Sequence, residues 1–455
     1  MTTSGIPYLW GKFIVAALLP VWAGLATARQ TGAPPEPNEV RHHPFAGLSE
    51  VLPFPTAEPV IAYTSYTYQQ PTGNRLISGH GNLPFAQAVD VPLLDRPQWV
   101  LGYPLGTSSL WVVVLADGRV QAFLLTGDVV ESLAPESLPY PVLSPPALGL
   151  IDESIQLMVP ATAAGSTLTH PILLNRPDPA FASLDIDGNL VVSEYGRLTR
   201  LLINALTDSR LVTDDAGRIL VLTSPSTRYG HGVLGDVLEA TSITLVETLP
   251  CPRVAATISV PSPQVIEGLS PIWADLDADG LREILVTVSD AAEGARLHAY
   301  AETGELRAAG PPVGRGYRWR HQLAVAPFGP AGQIEVAAVL NPHIGGIVEF
   351  YRLIDDRLEV VARVPGYSTH TIGSRNLDMA LAGDFDSDGR VELLVSNQQF
   401  DTLGAIRRTV DGAQVAWSIP AGGRITTNIG AVQLADDTIV VVAGHADKML
   451  RLWVP

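Results

Sequence analysis

The chain is short of thiols and of positive charge. Cys251 is the one cysteine among 455 residues. It cannot close an intrachain disulfide. With no CxxC, no CxxCH and no Cys/His pair at zinc spacing, thiolate metal sites and covalent haem are excluded. Cys251 reads as a partly buried, small apolar residue. Lys and Arg number 29 against 46 Asp and Glu, a formal charge of −17, and no basic block interrupts that balance. A duplex-binding surface needs a basic footprint, so nucleic acid is not an expected partner. An acidic surface suits a soluble protein that meets cations. Also missing are GxSxG, HExxH and any Ser/His/Asp arrangement that linear order could establish. No amphipathic helical pattern of about twelve residues appears either.

What is present begins with an apolar run, Phe13 to Leu25, preceded by Lys12 and followed by small residues Ala26, Thr27 and Ala28. This reads as a secretory leader over 1–28, short of the ~20 residues of a comfortable membrane span. An uncleaved anchor is the alternative. The expectation is an exported chain (periplasmic, extracellular or cell-surface), touching a membrane only through residues 1–28 if they are retained. Residues 29–60 hold Pro34, Pro35, Pro37, Pro44, Pro53, Pro55 and Pro59 and read as an extended linker.

From residue 61 to 455 the chain is a series of short runs such as "LWVVVLADGRVQAFLL", "REILVTV", "GIVEFYRL" and "TIVVVAG". They are rich in β-branched and aromatic residues and bounded by Gly, Pro, Asp or Asn, so the fold class is all-β. The runs repeat, most clearly over 270–455. Levelling Asp275, Pro327 and Asp384 puts Gly280, Gly332 and Gly389 in one column and Glu283, Glu335 and Glu392 in another, at offsets of 52 and 57 residues. Four strands per repeat of about 50 residues is the unit of a β-propeller blade. The last repeat supplies three strands before the chain ends, and "AQAVDVPLLD", residues 86–95, can close the ring from the N-terminal side. Space between 97 and 268 for about three further blades gives seven four-stranded blades, with six or eight as alternatives.

Two repeats carry "DLDADGLRE" (275–283) and "DFDSDGRVE" (384–392). Asp-x-Asp-x-Asp-Gly is a hard-cation loop: alternation points carboxylates one way and Gly permits the sharp turn. An EF-hand would place Glu at position 12 and then a helix; here position 12 is Val286 or Val395, on a strand. The acid stands at position 9 instead. These stretches resemble the FG-GAP/VCBS repeats of integrin-α-like β-propellers, whose inter-strand loops read DxDxDGxxD/E. The resemblance implies two Ca²⁺ sites. Asp275, Asp277, Asp279 and Glu283 with the Leu281 carbonyl would hold one; Asp384, Asp386, Asp388 and Glu392 with the Arg390 carbonyl would hold the other. Such ions are expected as staples between strands, each adding roughly 1.4–2.7 kcal/mol at ten to a hundred times its dissociation constant. The Pro327 copy has no Asp at all, so it keeps the turn and has lost the ion. "SLDIDGNLVV" keeps Asp185 and Asp187 but has Ser183 first and Val191 ninth, which makes a third site doubtful.

"YGHGVLGD" holds Gly230, Gly232 and Gly235 in a GxGxxG spacing, but a β-like run follows where a nucleotide fold needs a helix. A tight loop is expected. "AGHADKMLRLW" shares GH and W with WD40 repeats, with too few residues between His445 and Trp453 for that unit.

Before the inner strands of successive blades stand Arg228, Tyr229 and His231; Tyr317, Arg318, Trp319, Arg320 and His321; Tyr367, His370 and Arg375; and Arg424. In a propeller these loops gather at one end of the channel, as an Arg/His/aromatic rim suited to an anionic or sugar ligand. The plain alternative is that they pair with local acids such as Asp378 or Asp236. The expected function is a non-catalytic, calcium-binding interaction module for a protein, an extracellular glycan or another anionic ligand. The rival is an extracellular enzyme acting on a carbohydrate or other anion, with His231, His321 or His370 as acid/base. A third reading is a membrane-tethered scaffold subunit.

Overall fold

First- and second-strand runs such as "RHQLAVA" and "EILVTVS" are buried along their whole length. Both of their faces meet neighbouring sheets, so apolar residues run on without alternation. Outer strands such as Arg357–Pro365 alternate between exposed and covered positions. The computed structural model describes residues 40–44, 63–64, 71–133, 141–151, 154–160, 165–174, 176, 180–194 and 197–454. Residues 1–28 and most of 29–60 lie outside these, and with them the leader and anchor readings. Among the described residues the one helical element is a 3-10 turn, Leu83–Phe85. No helix among them is long and apolar enough to cross a membrane.

The strands form a β-propeller. Among the described residues its sheets are seven, one of them nine-stranded and made of two blades joined through a single parallel bridge, Ala309 to Arg357. That makes eight blades, one more than the seven expected and within the range of six to eight. Blade 1 runs from Pro97 to Leu133. Blade 2 combines Ala147–Ile151 and Ser154–Pro160 with Tyr63–Thr64 inside and Val40–Pro44 outside. Blades 3 and 4 start at Ile172 and Val212; blades 5, 6 and 7 start at Ile272, Arg320 and Ala380. Blade 8 is Ile425–Gln433, Ile439–His445, Met449–Val454 and, outermost, Gln87–Pro92. The closing strand is therefore the one expected, with Leu452 opposite Val89. Blade 2 hid the eighth unit, because half its strands come from residues that read as linker or lie just after it.

Eight apolar clusters seal the eight junctions. Trp99 and Leu101 of blade 1 pack with Leu148 and Leu157 of blade 2, and Leu173 and Phe181 of blade 3 with Met158 of blade 2. Blades 3 and 4, 4 and 5, 5 and 6, 6 and 7, 7 and 8 and 8 and 1 are joined in the same way. A single blade cannot bury both its faces; stacking around the ring does so.

The channel is filled by the chain itself, which the sequence did not suggest. Residues 71–83 meet the inner strands of five blades in turn. The Pro71 carbonyl accepts from Thr213 N at 2.8 Å and the Thr72 carbonyl from Trp273 N at 2.9 Å. The Asn74 amide clasps the Val325 backbone at 2.7 and 2.9 Å. The Arg75 carbonyl takes Ala382 N, His80 N reaches the Asp437 carbonyl, and Leu83 N reaches Phe385 O. Gly79 has φ +97, and a Cβ there would stand 2.4 Å from the Asp437 carbonyl. Backbone comes this close only where there is no side chain.

Candidate functional site

Antiparallel meandering puts the turns between first and second strands at one end of the ring, here called the motif end. The segments leading into first strands lie at the other, the rim end. The Asp275 and Asp384 loops are both at the motif end. Their backbones match: Ala278 and Ser387 have φ +62 and +61, and Gly280 and Gly389 have φ +86 and +80. Gly332, at φ +76, keeps the turn in the copy without aspartates. Asp185 sits elsewhere, in a turn between the second and third strands of blade 3, where its carboxylate takes Asp187 N, Asn189 N and the Asn189 amide. It is a turn staple.

In the first loop the carboxylate oxygens of Asp275, Asp277 and Asp279 lie within 4.8 Å of one another. Asp275 accepts from Ala278 N at 2.7 Å and Gly280 N at 2.9 Å, and Asp279 from Leu281 N at 2.7 Å. Glu283 is buried at the start of the second strand and accepts from Leu276 N at 2.9 Å. Burial pushes its carboxyl up, and Asp277, Asp279 and Asp275 push it further. Arg307, the nearest cation to this cluster, is 3.9 Å from Asp277. A cavity of about 640 Å³ opens beside the loop, lined by Asp214, Arg218, Asp279, Glu283, Ala301 and Arg307 among others. This oxygen-only, under-neutralised donor set fits a hard divalent cation.

The second loop differs in one side chain. Asp384, Asp386 and Glu392 also bring oxygens within 4.8 Å, but Arg407 lies among the carboxylates. Its guanidinium contacts Glu392 and Asp386 at 2.5 Å and Asp388 at 2.8 Å. Trp417 donates its indole N–H to Asp386 at 2.9 Å. Arg390, which corresponds to Leu281, gives its N–H to Asp388 at 3.1 Å. Burial raises the Glu392 carboxyl to about 7 against the pull of Arg407. A calcium ion asks for six to eight oxygens, and here three of the four carboxylates are already engaged by a guanidinium.

At the rim end the structure brings together His231, His321, His370 and Arg375 and adds His343, which the sequence reading missed. His321 and His370 are buried, and His231, His343 and Arg375 are half-buried. The Trp319 ring lies stacked with His321 at 5.1 Å and His343 at 5.8 Å. His370 Nε2–H donates to the Ser374 carbonyl at 2.6 Å, so its Nδ1 accepts from His343 Nδ1–H at 3.2 Å. His321 Nδ1 meets Thr369 Oγ1 at 2.9 Å. Burial lowers all three imidazoles, His343 to about 4 and His370 to about 3. Arg375 bridges Asp208 at 2.9 Å and Asp236 at 2.6 Å, the local pairing weighed as the plain alternative. Arg320 turns into blade 6, onto Glu349 at 3.0 Å. Arg424 lies exposed over the Phe400 ring, 4.8 Å from its centroid.

The GxGxxG stretch belongs to the loop 224–241 of blade 4, which reaches the loop before blade 7: Gly373 N donates to the Val233 carbonyl at 2.8 Å. Val233 and Leu234 pack with Leu269, Trp319 and Leu377. His231 Nδ1 bonds Glu267 at 2.5 Å, Ser289 holds the other Glu267 oxygen at 2.5 Å, and Tyr317 stacks on the His231 ring at 5.4 Å. Arg228, Arg315, Tyr317 and Arg318 are exposed around it. What remains open to solvent is a shallow basic and aromatic surface.

No family model matches the chain, and no curated protein sequence matches it. Among solved structures, Raptor from Chaetomium thermophilum aligns at 10% identity and TM-score 0.42, over 84% of this chain; the chain spans only 29% of Raptor's length. The Dos1 propeller aligns at 10% identity and TM-score 0.38, over 87% of this chain and 95% of that one. Likenesses this distant carry no argument about function. The propeller assignment stands on the strand pairings and junction cores described above.

Proposed function

We propose that this chain is an exported recognition module, a propeller of the FG-GAP/VCBS type that presents a rigid rim-end surface to an anionic partner without covalent chemistry. One observation carries the reading: most of the groups a catalytic channel mouth would use are buried or already paired. His321 and His370 are held inside, Arg375 is spent on Asp208 and Asp236, and residues 71–83 fill the channel. The exposed remainder, Arg228, Arg315, Tyr317 and Arg318 beside His231, suits a surface contact by guanidinium forks and an aromatic face. The catalytic alternative rests on His231, the one rim histidine that is both held by a carboxylate and partly open.

Calcium enters this reading as a staple at the Asp275 loop, where it would neutralise Asp275, Asp277, Asp279 and Glu283. Chelation should lower the melting temperature, and Asp277→Asn should remove that response. An unchanged melt on chelation sinks the calcium reading.

The recognition reading is tested by titrating the full chain with an oligoglutamate peptide and with a sulfated oligosaccharide. Binding of either should weaken in Arg318→Ala and Tyr317→Ala. If neither probe binds, the anionic-partner assignment is wrong. Hydrolysis of the oligosaccharide that disappears in His231→Ala would replace recognition with catalysis.

A further inference from the structure

We infer that the Asp384 loop takes no metal, because Arg407 is its resident cation, and that the first loop is left to bind an ion because Ala301 stands where that arginine would be. The second half of this inference rests on the calcium reading above; the first does not.

Glu283, Glu335 and Glu392 each open the second strand of their blades, and each is buried. In the pairing of second with third strands, Ile284 faces Tyr300, Val336 faces Tyr351 and Leu393 faces Ile406. One step further along each ladder, the three glutamates face Ala301, Arg352 and Arg407. Cross-strand neighbours interact directly, and the two arginines do: Arg352 reaches Glu335 at 2.5 Å, and Arg407 reaches Glu392 at the same distance. Glu335 has a second arginine, Arg408, at 2.8 Å.

The three blades therefore solve one problem in two ways. A buried carboxylate needs a partner charge. Blade 6 has no aspartates in its loop and pairs its glutamate with arginine. Blade 7 kept both, and the arginine reaches three of its four acids. Blade 5 kept the aspartates, and alanine at 301 leaves the cavity of about 640 Å³ that Ala301 helps to line. Arginine and ion compete for the same oxygens. Where the guanidinium is in place, a divalent cation would have to displace it from Asp386, Asp388 and Glu392 together.

The test counts ions on the full chain by calorimetric titration with calcium alone. Wild type and Asp386→Asn should bind the same number, and Arg407→Ala should bind one more. Loss of an ion in Asp386→Asn, or no gain in Arg407→Ala, overturns the assignment of Arg407. Should Arg407→Ala not fold, Ala301→Arg asks the reciprocal question, since it supplies the missing guanidinium to the first loop. It should weaken calcium there roughly tenfold or more; unchanged affinity overturns the cross-strand argument. If wild type binds no ion while Arg407→Ala binds one, the calcium reading of the first loop fails and the role of Arg407 stands.

Discussion

Arg75 and Asp378, 303 residues apart in sequence, meet in the middle of the ring through a two-pronged contact at 3.1 and 3.0 Å. Arg210 holds the same carboxylate, at 2.8 Å to one oxygen and closer to the other. All three side chains are buried, at 4%, 0% and 2% exposure. One aspartate thus serves two guanidiniums, one from the axial segment and one from blade 4.

That sharing makes the three residues unequal. Removing Arg75 leaves Asp378 paired with Arg210, whereas removing Asp378 leaves two guanidiniums facing each other in a dry site. Asp378→Ala should cost about 3–5 kcal/mol, the range for breaking a buried ion pair, and Arg75→Met distinctly less. Urea denaturation of the two variants checks the order; equal losses would mean that the carboxylate is not the shared centre.

Three rim histidines, His321, His343 and His370, shape the acid side of the stability curve. Their folded pKa values lie below the ordinary value of about 6.5 because they are buried, so the unfolded chain binds protons that the folded one refuses. Their contribution is complete above about pH 6.5 and is lost as pH falls toward 4 for His343 and 3 for His370. For His370 alone the loss between pH 6.5 and 5 is about 2 kcal/mol. Melting temperature should fall steadily over that interval, and His370→Gln should flatten the slope by about that amount.

Glu239 acts in the opposite direction. It is 1% exposed and its Oε2 has no hydrogen-bond partner among the described residues. Burial raises its carboxyl well above the usual range, and Glu267, Asp208 and Asp236 raise it further. The folded chain keeps a proton that the unfolded one releases, so stability drains as pH rises above the unfolded carboxylate value. Glu239→Gln should therefore be more stable than wild type at pH 8, by on the order of 1 kcal/mol or more, and the gap should close toward pH 4. Melts of both proteins at the two pH values decide it.

The readable parts of the sequence were those that repeat. The glycine and glutamate columns of blades 5, 6 and 7 and the closing strand at Gln87–Pro92 follow from local pattern, because each blade asks its own residues for the same turn and the same buried strand. The axial segment "PTGNRLISGHGN" has no period to read: its conformation answers to five separate inner strands far along the chain. The rim was legible as a gathering of Arg, His and aromatic side chains. Its burial was not, since that depends on the loop 224–241 folding over toward Gly373. A signal for Arg407 did exist: arginine follows the column glutamate after 17 residues in one repeat and 15 in another. Alanine breaks that pattern in the third.

The axial segment also fixes when the protein can be finished. Residues 71–92 find their partners in stretches from Thr213 to Val454, so this segment has nowhere to dock until blades 4 to 8 exist. Pairings this distant are slow to form and leave strand edges bare meanwhile. Blades 4 to 8 must assemble around a segment that precedes them in the chain, and the strand Met449–Val454 is the one that seats Gln87–Pro92 and locks it.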